Sequence, residues 1–185
     1  MSTPAPRPAS SHRKIVTRGG SAVVLASAAV LGFLHKWEDG GKTQHVVYAD
    51  KLAGGLPTAC GGLTEAVSPF PVVVGEYWPQ EKCDAAMEHV VAQTQQGLAK
   101  CLTGRVTQNA YDALSSHAHN FGVGATCGSE AVKAINAGQL DVGCRLLSTR
   151  PDGSPNWSNV GPTFYRGLHN RRLAETALCL KPDPL

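Results

Sequence analysis

Six cysteines, Cys60, Cys83, Cys101, Cys127, Cys144 and Cys179, are the feature that most restricts how this chain can fold: their number is even and none precedes residue 60. A set of this kind suits disulfides formed in an oxidising compartment. No two of them stand in the close CxxC spacing of a zinc site or a redox motif, so no metal is expected here. Six cysteines allow fifteen pairings, and spacing alone does not choose among them.

A chain that folds in such a compartment has to be exported, and its first third has the layout for that. Residues 1–18, rich in Pro and Ser, contain Arg7, Arg13, Lys14 and Arg18 and no acidic residue, and read as a basic, disordered leader on the cytoplasmic side. Residues 19–34 carry no charge, include the run Ala22-Val-Val-Leu-Ala-Ser-Ala-Ala-Val-Leu-Gly-Phe-Leu34, and are flanked by His35 and Lys36. A basic flank followed by an apolar run is the pattern of an export signal. A stable membrane helix wants roughly 20 apolar residues, and much of this run is Ala, Gly and Ser, so it should hold the inner membrane weakly. It is either a signal peptide cleaved after Ala26-Ser27-Ala28 or an uncleaved anchor that later leaves the bilayer. Cleavage would leave Val30 to Leu34 as an apolar new terminus, which favours the anchor. A buried core helix with a basic preface is the remaining reading. The expected organisation is a leader over 1–18, a signal-anchor over 19–36 and one domain over 37–185.

The net charge of +3 belongs to the leader: without its four cations the chain has 13 basic against 14 acidic side chains. A nucleic-acid binder would carry its basic excess on the folded domain, so nucleic acid is not an expected partner.

From Trp37 to Pro79 the chain is punctuated by Gly, Pro and short β-branched runs, which predicts a small hairpin lobe. Beyond Pro79 the spacing turns helical. Met87, Val90, Val91, Leu98 and Leu102 share a helix face over 84–102, and Gly104 ends it. Thr107 can cap a helix running to Asn120, stopped by Gly122 and Gly124. Two short helices follow over 129–137 and 139–147, then a turn-rich loop at Pro151-Asp-Gly-Ser-Pro155. The last helix, from about Thr163 to Leu180, should turn Leu168, Leu173, Ala177 and Leu180 inward and Arg166, Arg171, Arg172 and Glu175 largely outward. A β-containing lobe followed by a helical lobe makes an α+β architecture with a cleft between the two.

Glu38, Asp50 and Thr58 are the candidate chemical residues. Two carboxylates flanking a sugar-binding cleft are the minimal apparatus of glycoside hydrolysis. Glu38 is the candidate acid; Asp50, on a polar hairpin, is the group that stays ionised, and the Thr58 hydroxyl can hold a water. Asp39 competes with Glu38 by adjacency. Trp157 is expected in the core, and His117 and His119 read as helix-surface residues rather than metal ligands.

These residues lie within a resemblance that spans residues 37 to 180. Its segments are Trp37-Glu38, Tyr48-Ala-Asp50, Gly55-Leu-Pro-Thr-Ala-Cys-Gly61, Thr107-Gln-Asn-Ala-Tyr-Asp-Ala-Leu114 and Asn120-Phe-Gly-Val-Gly124, followed by Ile135-Asn-Ala-Gly138, Gly143-Cys144 and Gly167-Leu-His-Asn-Arg-Arg-Leu-Ala-Glu175. In this order they resemble the phage-type lysozymes, glycoside hydrolase family 24, and especially signal-arrest-release endolysins. The resemblance implies a lysozyme-like fold preceded by a hydrophobic helix, and an inverting muramidase that needs no cofactor. It carries a catalytic triad onto Glu38, Asp50 and Thr58, and cleft-side, substrate-binding positions onto Asn120 and Arg171. It further implies the pairs Cys60 with Cys83, Cys101 with Cys127 and Cys144 with Cys179, and a monomer that acts on peptidoglycan glycan strands after release to the periplasm. The chain departs from the family in spacing, with eleven residues between Glu38 and Asp50 and seven between Asp50 and Thr58, both longer than usual. The hairpin is therefore expected to be longer.

Overall fold

In a computed structural model of the chain, which describes residues 13–38, 43–51 and 53–183, the N-terminal segment is part of the folded body. Strands β1 (Lys14–Val16) and β2 (Ala22–Val24) pair antiparallel, with Lys14 opposite Val24. Ser21 closes their turn by donating its amide to the Thr17 hydroxyl at 3.1 Å. The turn is tied to the helical lobe: the amides of Arg18 and Gly19 donate to the carbonyls of Ala99 and Leu102 at 2.9 and 2.8 Å. A Cβ on Gly19 would stand 2.4 Å from the Gly104 carbonyl oxygen, so only glycine allows that approach.

Helix α1 (Ala28–Glu38) follows, with the Ser27 hydroxyl accepting from the Val30 amide at 3.2 Å as its N-terminal cap. Val30 and Leu34 are fully buried and pack with Ala26 and with Val91 of the long helix α2 (Gln80–Cys101). The expectation of a separate hydrophobic helix ahead of the domain is thus corrected. The uncharged stretch divides into a hairpin strand, a bend and the first turns of an eleven-residue helix, whose apolar side covers α2. Among the described residues no helix is long and apolar enough to cross a membrane. Residues 13–18 of the expected leader are strand and turn; residues 1–12 lie outside the described residues.

The small lobe is a three-stranded antiparallel sheet in the order β3 (Tyr48–Asp50), β4 (Leu56–Ala59), β5 (Leu63–Thr64). Its core gathers Val47, Ala59, Leu63, Val72 and Trp78 against Ala86 and Val90 of α2, and the Cys60–Cys83 disulfide staples sheet to helix.

The large lobe is built around α3 (Gln108–Phe121), which Thr107 caps by accepting from the Ala110 amide at 3.0 Å. Every residue from Ala110 to Ala118 is buried, so α3 is wrapped on all sides. Around it lie α4 (Val123–Cys127), α5 (Glu130–Asn136), α6 (Leu140–Leu146) and α7 (Arg166–Cys179). The Cys101–Cys127 and Cys144–Cys179 disulfides join α2 to α4 and α6 to α7. Helix α4 is not among the elements that the sequence pattern predicts. The last helix begins later than its apolar pattern suggests, because residues 159–164 form a hairpin of β6 (Asn159–Val160) and β7 (Thr163–Phe164).

Candidate active site

The burial of α7 reverses the expected orientation of its charges. Arg171, Arg172 and Glu175 are buried, and Leu173 is exposed. The physical reason is a set of partners that neutralise one another. Glu175 Oε1 accepts from Arg172 Nη2 at 2.8 Å, from the Ser116 hydroxyl of α3 at 2.7 Å and from Arg171 Nε at 3.4 Å. The Arg172 guanidinium lies 4.8 Å from the centre of the Phe121 ring, a favourable place for a cation. Burial pushes the Glu175 carboxyl up, and Arg172 and then the Ser116 hydroxyl oppose that push.

Arg171 carries this network outward. Its Nη1 donates to Glu38 Oε1 at 2.5 Å, and its Nη2 reaches the carbonyl and hydroxyl oxygens of Ser116 at 3.4 Å. Glu38 is the last residue of α1 and is half-buried, so the two arginines and two glutamates form a balanced chain running from the interior to the end of that helix. A buried ion pair of this kind is costly to break, because removing one partner strands the other. Arg171 is 5% exposed and directs its donors to Glu38, Glu175 and Ser116.

Asp50 and Thr58 meet through the sheet. In the β3–β4 register Tyr48 faces Thr58 and Asp50 faces Leu56. Side chains alternate along a strand, so Tyr48, Asp50 and Thr58 share one face, with Asp50 and Thr58 as diagonal neighbours whose backbones are about 7–8 Å apart. Thr58 is buried and its hydroxyl donates to the Leu56 carbonyl at 3.0 Å. The added length between the two residues is taken up at the strand junction, where the Asp50 carbonyl accepts from the amides of Ala53 and Gly55 at 3.1 and 2.7 Å. Gly54 and Gly55, with φ of 68° and 87°, supply the left-handed backbone of that loop.

Asn120 is exposed at the end of α3. Of the two histidines before it, His117 is not a surface residue, contrary to the sequence reading, and His119 is half-buried. His117 is fully buried, with Nδ1 2.9 Å from the Thr126 hydroxyl and its ring 4.8 and 5.0 Å from those of Trp157 and Phe121. Thr126 gives its own proton to the Gly122 carbonyl at 3.0 Å, so Nδ1 is the donor in the pair. Burial, and then Arg172 and Arg171, hold His117 down to about 3. Trp157, half-buried, belongs to this aromatic cluster. His119 is one helical step of three from Ser116, on the α3 face that meets Arg171. Burial first lowers its pKa; Glu38 acts to raise it and Arg171 to lower it.

The structure thus brings together Glu38 with Arg171, and Asp50 with Thr58. Asp39, the alternative acid, lies outside the described residues. Sequence reasoning missed Ser116, Arg172 and Glu175 as buried members of the network. A signal for it exists in the i, i+3 and i, i+4 spacing of Arg172 and Arg171 to Glu175, which fits ion pairing along one helix face.

Comparison with known proteins places this arrangement. The family profile described as phage lysozyme matches residues 38–175, from Glu38 to Glu175. An endolysin of Bacillus phage PZA is 38% identical over 82 residues, which are 44% of the chain and 29% of that protein, so the chain spans under a third of its length. The SAR-endolysin of Enterobacteria phage P21 is 24% identical over 163 residues, covering 88% of the chain and 90% of the relative. Among solved structures, the muramidase domain of SpmX from Asticaccaulis excentricus superposes with a TM-score of 0.66 at 21% identity, over 84% of this chain and 97% of that one. At that identity the likeness speaks for the fold, a lysozyme-like α+β body with small antiparallel sheets and a helical lobe.

Proposed function

Because the chain belongs to the phage lysozyme family, we propose that it is an endolysin that hydrolyses the β-1,4 bond between N-acetylmuramic acid and N-acetylglucosamine in peptidoglycan and so lyses the host cell. The observation that carries this reading is Glu38 at the end of α1, held at 2.5 Å by the buried Arg171. In this mechanism Glu38 is the general acid: it gives its proton to the departing glycosidic oxygen as the sugar takes on positive charge. Asp50 stays ionised and, with the Thr58 hydroxyl, orients the water that attacks from the opposite side, inverting the anomeric centre. Arg171 serves as the clamp that returns Glu38 to one place between turnovers, and Asn120 lies at the exposed end of α3 where a glycan strand can reach it.

Export precedes this state. The similarity to the P21 SAR-endolysin and the basic, then uncharged, N-terminal sequence support a chain carried to the inner membrane by residues 19–34, held there weakly and folded as described after release. Fractionation of expressing cells tests this: the intact chain should move from the membrane to the periplasmic fraction when the membrane potential is collapsed, and a chain recovered in cytosol throughout would refute it.

The activity is tested by turbidity loss of purified peptidoglycan. Glu38→Gln should lower the rate by on the order of 10²–10⁴, the usual worth of a general acid, in a protein that still folds, with a lower thermal midpoint because Arg171 loses a charged partner. Products ending in a reducing sugar mark hydrolysis; anhydro ends would mark a lytic transglycosylase and remove Asp50 and Thr58 from the mechanism.

A further inference from the structure

Helix α3 carries a fully buried carboxylate that this mechanism does not use. Asp112 Oδ2 accepts from the Ser27 hydroxyl at 2.6 Å, and its Oδ1 accepts from Gln108 Nε2 at 2.8 Å. Gln108 also reads both polar groups of the Val24 backbone: Oε1 accepts from the amide at 2.7 Å, and Nε2 donates to the carbonyl at 3.1 Å. Gln95 of α2, likewise fully buried, accepts from the Ala26 amide at 2.6 Å. Three side chains from two helices therefore grip the junction between β2 and α1 at Val24, Ala26 and Ser27. Ala26 has a φ of 46°, a backbone conformation that residues other than glycine seldom adopt and that the surroundings must hold. Ser27 is at once the partner of Asp112 and the cap of α1, and Glu38 is the last residue of that helix.

We propose that Asp112 is a positioning residue for the reaction: through Ser27 it fixes the head of α1, and through that eleven-residue helix it fixes Glu38 at the other end. The inference rests on Glu38 being the acid. A helix is a stiff rod of about 1.5 Å per residue, so a loose head is felt at its far end. Displacements near 1 Å at a reacting group cost about a hundredfold in rate.

The groups that face Asp112 are Ser27 from the entry to α1, Gln108 and Tyr111 on α3, and the Asp183 carboxylate beyond α7. Burial pushes the carboxyl up from 3.8 to about 6; Ser27 and Gln108 oppose this, and Asp183 adds to it. The filled socket therefore holds a proton that an open one does not over that interval, and filling weakens as pH rises from 3.8 to about 6.

The test measures kcat and KM on soluble peptidoglycan fragments for the full chain, its Ser27→Ala, Asp112→Ala and Asp112→Asn variants and the Ser27→Ala/Asp112→Ala double variant, with hydrogen exchange of the α1 amides beside them. Expected is a loss in kcat of about tenfold to a hundredfold for Ser27→Ala and Asp112→Ala with KM nearly unchanged. The double variant should lose less than the two single losses combined, because the Ser27–Asp112 contact is common to both. Asp112→Asn should recover part of kcat, since its carbonyl still accepts from Ser27 while its amide nitrogen meets the Gln108 donor, and its rate relative to wild type should rise between pH 4 and pH 6. Faster exchange confined to α1 should accompany the loss. Folded Ser27→Ala and Asp112→Ala variants with wild-type kcat overturn the proposal. If Asp112→Ala does not fold, Asp112→Asn decides: a kcat ratio to wild type that rises between pH 4 and pH 6 supports the proposal, and a ratio flat over that interval overturns it. Inactivity of the wild type refutes the assignment of Glu38 instead, and the exchange data then decide whether Asp112 holds α1.

Discussion

Glu175 shows how much of this molecule depends on single charges placed in the interior. It is fully buried and takes hydrogen bonds from Arg172, Arg171 and Ser116 on one oxygen. Glu175→Gln would leave two buried guanidinium groups with less negative charge than they need, and such losses cost about 3–5 kcal/mol. Chemical denaturation should show a drop of that size. His117 supplies a pH dependence of its own. Its pKa in the folded protein is about 3 against an ordinary 6.5, so below pH 6.5 the unfolded chain takes up a proton that the folded one refuses. Its contribution is complete above pH 6.5 and declines as pH falls toward 3, by at most about 1.4 kcal/mol per pH unit. Asp112 works in the opposite sense, since its folded-state value is raised, and adds stability as pH falls from 6 to 3.8. Replacing His117 with Phe, which suits the ring cluster of Phe121 and Trp157, should flatten the acid side of a stability-against-pH curve; an unchanged curve would show that His117 is not the group responsible.

Local signals at the ends of elements are legible in the sequence itself. Thr107 caps α3 as its residue type suggests, Gly122 follows its end, and the short helices α5 and α6 fall within the ranges their spacing predicts. Thr107→Ala should accordingly cost about 1 kcal/mol, read as a lower thermal midpoint. The pattern fails where burial is decided by distant partners. Arg171 and Arg172 look like an exposed basic pair in α7, and nothing nearby in sequence announces Ser116 or Glu38, the latter 133 residues away. The N-terminal stretch reads two ways for a related reason. An uncharged run of Ala, Val and Leu suits a weak membrane segment and a buried strand and helix equally well, and only the waiting carbonyls of Ala99 and Leu102 and the side chains of Gln95, Gln108 and Asp112 distinguish the second. The pairing of Asp50 with Thr58 depends on strand register, which the altered spacing conceals. Their candidacy comes from the resemblance, whereas their shared face comes from the sheet.

At the scale of the whole molecule, strand β2 and the residues that follow α7 converge on the first turn of α3. Asp183 accepts from the amides of Gln108 and Asn109 at 3.0 and 3.2 Å, while the Gln108 side chain holds Val24. The three disulfides use all six cysteines and close loops with separations of 23, 26 and 35 residues, each worth about 3.5 kcal/mol in a chain-entropy account. Reduction should therefore lower the thermal midpoint markedly in the helical lobe, where two of them lie. None of the three reaches residues 13–38. The oxidised body is closed covalently, yet the strand pair and helix that bring Glu38 have no disulfide to it and are held, beyond the chain itself, by packing, hydrogen bonds and the Arg171–Glu38 ion pair. Such a segment behaves as a ligand that the chain supplies to itself, and it should be replaceable from outside. A body beginning at residue 43, oxidised and inactive, should regain the proposed hydrolysis when a synthetic peptide of residues 13–38 is added, with saturation kinetics that report the affinity of the body for that segment.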